Sequence, residues 1–305
     1  MRDRRVSHRQ SDGSAAIALR VAALILVSQA AACTALRPGI PPRSRSGVVA
    51  VDGGQLAYDM AGSGPTVVLV HGGLVDRRMW DDQFHNLVRD HRVIRYDLRG
   101  LGRSSRSTGG FSYVDDLHRL MVGLRVERAT LVGLSLGGGI VTDYALEHPE
   151  RVAALVLVGS SLRGVDLPPD PRAVEVFTTV AQTDPAKAIA LMLDSLRMGS
   201  RNPRARERLR AMMADNFTGF LAAPPWLQRW PEPPTARRLD QIRVPTLVVI
   251  GTLDAKPLLV FADTLAAKIP GAQRDSIAGA QHHLPVERPA EFTRLLRRFL
   301  ERVER

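Results

Sequence analysis

The chain of 305 residues predicts an α/β fold: a mostly parallel, twisted sheet flanked by helices, with a helical insertion between two strands. From Gly47 onward, short β-branched runs alternate with longer amphipathic stretches, the order that lays crossover helices on both faces of a sheet. Thr66–Val70 is apolar without a break, as a strand buried on both faces requires. Hydrophobic residues make up 45% of the chain and charged residues 24%, which supplies one large core and excludes disorder of the whole.

The elements follow in order. Residues 1–32 read as an export signal: Arg2, Arg4, Arg5, Arg9 and Arg20 precede the apolar run Val21–Val27, and small residues lead to Cys33. That run is shorter than the roughly 20 residues a spanning helix needs. Cys33 is the only cysteine, so no intramolecular disulfide can form. Its setting after Ala30-Ala31-Ala32 resembles the lipobox of bacterial lipoproteins, with Ala30 where Leu is usual. The resemblance implies acylation of Cys33 and a membrane-anchored, exported protein; plain secretion and a cytoplasmic protein with an uncleaved tail are the alternatives. Residues 33–46, with Pro38, Pro41 and Pro42, read as a flexible tether.

The first part of the core is expected over 47–162. Val48–Val51 and Leu56–Met60, joined by Asp52-Gly53-Gly54, predict a hairpin. Further strands are expected at Thr66–Val70, Arg92–Tyr96, Ala129–Val132 and Ala153–Val158, and helices at Tyr113–Leu124 and Leu136–Glu147. Residues 163–239 break the alternation with Pro clusters and helical pieces such as Arg204–Ala214, and read as a helical insertion between two strands of one core. The core resumes over 240–305, with strands at Thr246–Ile250 and Arg274–Ile277 and helices at Leu258–Ile269 and Ala290–Arg302.

The candidate chemistry centres on Ser135. Gly133-Leu134-Ser135-Leu136-Gly137 lies between an expected strand and an expected helix, the setting of a nucleophile elbow. Such a turn strains the serine backbone, leaves no room for side chains at Gly133 and Gly137, and raises Oγ at a helix N-terminus. Serine needs a base and an acid. Asp254 follows the Thr246–Ile250 strand, and His282 and His283 lie in the loop before the last helix, giving the chain order Ser, Asp, His. Either histidine satisfies that order.

His71-Gly72-Gly73, Tyr96-Asp97 through Ser104, Gly133 through Gly137, and His282 through Pro289 together resemble the α/β-hydrolase fold superfamily, closest to its serine esterase, lactonase and haloperoxidase-like group. The resemblance spans Gly47 to Arg302 apart from the insertion, and implies that residues 163–239 are a helical cap over the active site. It implies that the histidine seven residues before Pro289 is catalytic, which selects His282, and that the backbone N–H groups of Gly73 and Leu136 form the oxyanion hole. His71 and the Asp97–Ser104 turn are then braces. Gln281 departs from the glycine common before that histidine. Relatives that form alkyl-enzyme esters carry Asp where Ser135 stands, and epoxide-opening relatives use cap tyrosines, whereas all four Tyr here fall outside 163–239. The implied reaction is hydrolysis of an ester, lactone or related acyl bond. A C–C bond hydrolase or cofactor-free perhydrolase with the same triad is the alternative, and a catalytically silent binding protein the non-enzymatic one.

The net charge of +11 suggests nucleic acid until it is located. Residues 1–46 hold eight Arg against Asp3 and Asp12, and residues 163–239 hold eleven Arg and Lys187 against eight acids, which together account for all but one charge. The catalytic body is nearly neutral, so no nucleic-acid partner is expected. No metal cluster, P-loop or dinucleotide fingerprint accompanies the triad, and no cofactor is expected. Cap aromatics Phe177, Phe217, Phe220, Trp226 and Trp230 suggest an apolar acyl substrate. Oligomeric state has no signature.

Overall fold

The computed structural model describes residues 44–107, 109–168, 171–176, 184–194, 198–222 and 225–305. The expected export signal, Cys33, the tether as far as residue 43, and Phe177 lie outside the described residues.

The chain runs through β1 (Arg45–Val51), β2 (Gly54–Ala61), β3 (Thr66–Val70), a 3-10 turn (Arg77–Trp80), α1 (Asp81–Leu87), β4 (Arg92–Tyr96), α2 (Tyr113–Gly123), β5 (Ala129–Leu134), α3 (Leu136–Glu147) and β6 (Val152–Val158). Then come α4 (Pro171–Glu175), α5 (Pro185–Asp194), α6 (Pro203–Leu221), β7 (Thr246–Gly251), α7 (Lys256–Lys268), β8 (Gln273–Ile277), α8 (Leu284–Glu287) and α9 (Pro289–Val303). The eight described strands form one sheet in the order β1-β2-β4-β3-β5-β6-β7-β8. β1, β2 and β4 pair antiparallel, and every neighbour from β4 to β8 is parallel. After β3 the chain adds β4 on one side and β5 on the other. That reversal opens a crevice beyond the carboxyl ends of β3 and β5, where α/β folds bind ligands.

The period of two along each strand fills two cores. Val67 and Leu69 face Trp80, Phe84, Phe292 and Phe299, which belong to the 3-10 turn, α1 and α9. Val68 and Val70 face Leu117, Ile140 and Leu265 from α2, α3 and α7. α9 shows why: Phe292, Leu295, Leu296, Phe299 and Leu300 are all buried, the i, i+3, i+4 spacing of one helical stripe.

The expected boundary at residue 46 needs correction. Arg45 and Ser46 pair with Met60 and Asp59 as strand, and Ser46 Oγ donates to the Asp59 carboxylate at 2.7 Å, so the sheet captures the end of the expected tether. The unexpected 3-10 turn leads directly into α1, of seven residues, and begins where Asp76 accepts from the Arg78 N–H as a cap.

Between β6 and β7 the described residues hold helices and one isolated bridge, Phe111 to Gln228. α6 starts at Asn202, whose side chain accepts from Arg204 and Ala205, with Pro203 in the first turn; it runs to Leu221, well past Ala214. It seats on the core through buried polar groups. Asn216 donates to Asp76 at 2.9 Å and to the Met212 carbonyl at 2.7 Å, and accepts from Gly102 N–H at 2.7 Å. Gly219 allows the close approach, since a Cβ there would lie 2.1 Å from the Gly100 carbonyl oxygen. No helix among the described residues is long and apolar enough to cross a membrane.

Candidate active site

The turn from β5 to α3 is built as its glycines require. Ser135 has φ 53° and ψ −114°, a conformation costly for any residue with a Cβ, and caps the N-terminus of α3. A Cβ on Gly133 would sit 2.3 Å from the Gly137 carbonyl oxygen, and one on Gly137 would sit 2.3 Å from that of Val70. The strained residue is pinned by its own backbone: its N–H donates to Val158 at 2.9 Å, and its carbonyl accepts from Ser161 N–H at 3.0 Å and Ser161 Oγ at 3.1 Å. Along residues 129–145, Ser135 and Leu136 alone escape full burial. Leu136 N–H heads α3, so it has no acceptor within the helix and points its positive end outward.

The loop after β3 closes the other side. Gly72 approaches Ser135 closely, a Cβ there falling 3.4 Å from Ser135 Cβ. His71 is fully buried, accepts from Leu98 N–H at 2.9 Å through Nε2, and so donates from Nδ1 to the Gly72 carbonyl at 2.7 Å. Burial holds its pKa below the usual imidazole value, which suits a neutral brace. The Asp97 turn is a second brace. Its carboxylate accepts from the N–H groups of Arg77 and Arg103 at 2.9 and 2.8 Å, and Ser104 Oγ donates to its carbonyl at 2.6 Å. Gly73 keeps partial exposure beneath the Phe220 ring, which a Cβ at Gly73 would meet at 2.9 Å.

Asp254 and His282 meet at the carboxyl ends of β6 and β7. His282 Nδ1 donates to Asp254 Oδ2 at 3.1 Å, and the other carboxylate oxygen accepts from Ala255 N–H at 2.7 Å. Both residues are buried. Burial alone would lower the His282 pKa, but the Asp254 carboxylate outweighs it through charge and hydrogen bond, and the net shift is upward. Gly159, at φ 46°, forms the floor: a Cβ there would lie 3.1 Å from both Asp254 Oδ2 and His282 Nδ1. Since Val158 holds the Ser135 N–H, one strand end carries both halves of the candidate site. Among the described residues no hydrogen bond joins Ser135 to His282, a contact that often tightens only with substrate bound.

His283 turns away from Asp254. Its Nδ1 donates to the Met198 carbonyl at 2.7 Å, and burial with the neighbouring His282 pushes its pKa down to about 3. Of the insertion aromatics, Phe220 reaches the Gly73 loop, Phe217 is buried in the core, Trp230 lies over Tyr113 and beside Arg163, and Trp226 is 82% exposed. No group of three metal-ligating side chains occurs among the described residues.

Sequence reasoning did not single out Gly159 or Asn216 for these roles, whereas Phe220 was among the aromatics expected to shape an acyl site. Gly159 had a readable signal, a glycine directly after an apolar strand. Asn216 becomes informative only once α6 is docked, and docking also shows which of the expected aromatics, Phe220, reaches the Gly73 loop.

The family profile for the alpha/beta hydrolase fold matches residues 65–289. The chain is 30% identical to 2-hydroxymuconate semialdehyde hydrolase of a Pseudomonas species over 257 residues, 79% of this chain and 88% of that one. Among solved structures it resembles a thermophilic esterase from Thermogutta terrifontis, with TM-score 0.72, 30% identity, and coverage of 85% of this chain and 99% of the esterase. It also resembles the enol-lactonase from Burkholderia xenovorans, with TM-score 0.70, 27% identity, and coverage of 84% and 100%.

Proposed function

The chain belongs to the alpha/beta hydrolase fold family, and from that premise we propose that it is a serine hydrolase of esters, lactones or related acyl bonds that works through Ser135, His282 and Asp254. The observation that carries this reading is the buried His282–Asp254 hydrogen bond, set at the same sheet edge as a serine held at positive φ on a helix N-terminus. His282 takes the Ser135 proton as Oγ attacks the carbonyl carbon. The developing oxyanion is met by the N–H groups of Gly73 and Leu136. The tetrahedral intermediate collapses and expels the alcohol, which receives the proton from His282, leaving an acyl-enzyme. Water, deprotonated by the same imidazole, then releases the acid. Asp254 holds the Nδ1–H tautomer and stabilises the imidazolium at each transfer. The reaction needs no cofactor.

The esterase and enol-lactonase likenesses support the acyl class. Phe220 and Leu136, both apolar and partly buried, supply surface for a small apolar acyl group beside the oxyanion donors. The sequence before Arg45 supports export, with acylation of Cys33 as the anchor. The test is hydrolysis of a panel of p-nitrophenyl esters, lactones, amides and a vinylogous diketone by the wild type and by Ser135→Ala. Ester or lactone turnover that falls at least about 10³-fold in the variant supports the reading. Undiminished turnover in Ser135→Ala contradicts it, and activity confined to the diketone moves the assignment to C–C bond hydrolysis.

A further inference from the structure

The seven-residue spacing from His282 to Pro289 includes Glu287, an acidic residue the mechanism leaves without a task. In the structure it is 5% exposed and lies at the end of the single helical turn α8. That turn folds its carboxylate back under the loop: Oε2 accepts from Gln281 N–H at 3.0 Å, and Oε1 accepts from His283 N–H at 3.2 Å. These are the amides on either side of His282. The Glu287 N–H in turn donates to the His283 carbonyl at 2.9 Å, so the clasp is reciprocal. The side of the turn facing the insertion is held separately, by His283 Nδ1 on the Met198 carbonyl.

Resting on the reading of His282 as the base of acyl hydrolysis, we propose that Glu287 is its positioning residue: one carboxylate grips both flanking amides and so fixes where the imidazole points. A carboxylate does this better than any neutral side chain, because both oxygens accept and neither donates. An amide keeps one of the two bonds and turns its NH₂ against the other N–H. A protonated carboxyl has the same defect.

The state of the clasp therefore depends on pH. Burial pushes the Glu287 pKa up to about 7, against the downward pull of the two amides; the Asp254 carboxylate adds to the rise and His282 opposes it. The other charged or titratable groups facing it are His283 on its own turn, and Arg288 and Arg201, which line the same cavity. Full positioning requires Glu287 ionised, and full basicity requires His282 neutral. Both conditions are lost as pH falls through the neutral range.

The test is the pH dependence of kcat/KM from about pH 5 to 8 for the wild type, Glu287→Gln and Glu287→Asp. The wild-type acid limb is expected to fall with a log–log slope approaching 2, and that of Glu287→Gln with a slope of about 1, since one ionisation has been removed. Its kcat at the plateau should drop about 10- to 100-fold with KM within about twofold, the signature of a misaimed base rather than lost binding. Glu287→Asp should restore the steeper limb in part. A folded Glu287→Gln with wild-type slope and kcat overturns the proposal. Turnover undiminished in Ser135→Ala would mark failure of the functional reading instead.

Discussion

Asn216→Leu is the most informative single change away from the candidate triad, because it keeps the number and branching of the side-chain heavy atoms and removes three hydrogen bonds. Asn216 is 2% exposed and ties α6 to two loops of the core: to Asp76 on the loop after β3, and to Gly102 in the turn after β4. The bond to a carboxylate is worth about 1.5–3 kcal/mol and each neutral one about 1 kcal/mol. Burying the leucine returns part of this, roughly 1–2 kcal/mol. Asp76 keeps Arg78 as a partner, so no charge is stranded. The net loss is about 3 kcal/mol, which lowers Tm by about 6–12 °C in a domain of this size. Phe220 sits one helical turn further along α6 against Gly73, so the same variant should also reduce kcat. Calorimetry and initial rates on the best ester measure both. Asp215→Ala is the control, since its ion pair with Arg78 is exposed and worth under about 1 kcal/mol. A Tm shift for Asn216→Leu no larger than that of Asp215→Ala would refute the latch.

Further outcomes follow from the same geometry. Because Asp254 lifts the His282 pKa against burial, an NMR titration of His282 should give a midpoint above the usual 6.5, and Asp254→Asn should move it down; an upward move would contradict the sign. Phe220→Ala should reorder the preference among acyl-chain lengths, while Trp226→Ala, at 82% exposure, should change neither that order nor Tm; equal effects of the two would reduce the Phe220 contact to packing. If Cys33 is acylated, the native protein should partition into detergent with the mass of a lipidated N-terminal cysteine, and Cys33→Ser should stay aqueous; an aqueous wild type with unmodified Cys33 would remove the anchor.

The parts of this fold that were readable in the sequence are those set by local rules. β3 has the ends of its apolar run, β4 has the ends expected of it, and α3 spans Leu136–Glu147 as its spacing implies. The Ser135 turn was readable because Gly133 and Gly137 stand at fixed places either side of Ser135, the first demanded by a contact within the strand-turn-helix unit and the second by the neighbouring β3. Chain order left Asp254 with either His282 or His283, the family resemblance selected His282, and the structure joins Asp254 and His282 at 3.1 Å. What was not readable depends on chain segments far apart. Asn216 meets Asp76 across 140 positions, and nothing near either residue encodes the other. The 3-10 turn and α1 escaped because the 3-10 turn does not follow the 3.6-residue period and α1 alone is seven residues long. Glu287 was visible as a motif letter, but its task appeared only when α8 brought its carboxylate under the His282 loop.

The central claim is that Ser135 is a nucleophile activated by His282. The most direct test is covalent labelling with a fluorophosphonate, in which Oγ attacks phosphorus and fluoride leaves, followed by peptide mass mapping. The wild type should take up one label, on the peptide containing Ser135, with loss of hydrolytic activity in step, and His282→Ala should react far more slowly. A fully active enzyme that stays unlabelled at Ser135, or that loses activity through a label elsewhere, would contradict the account.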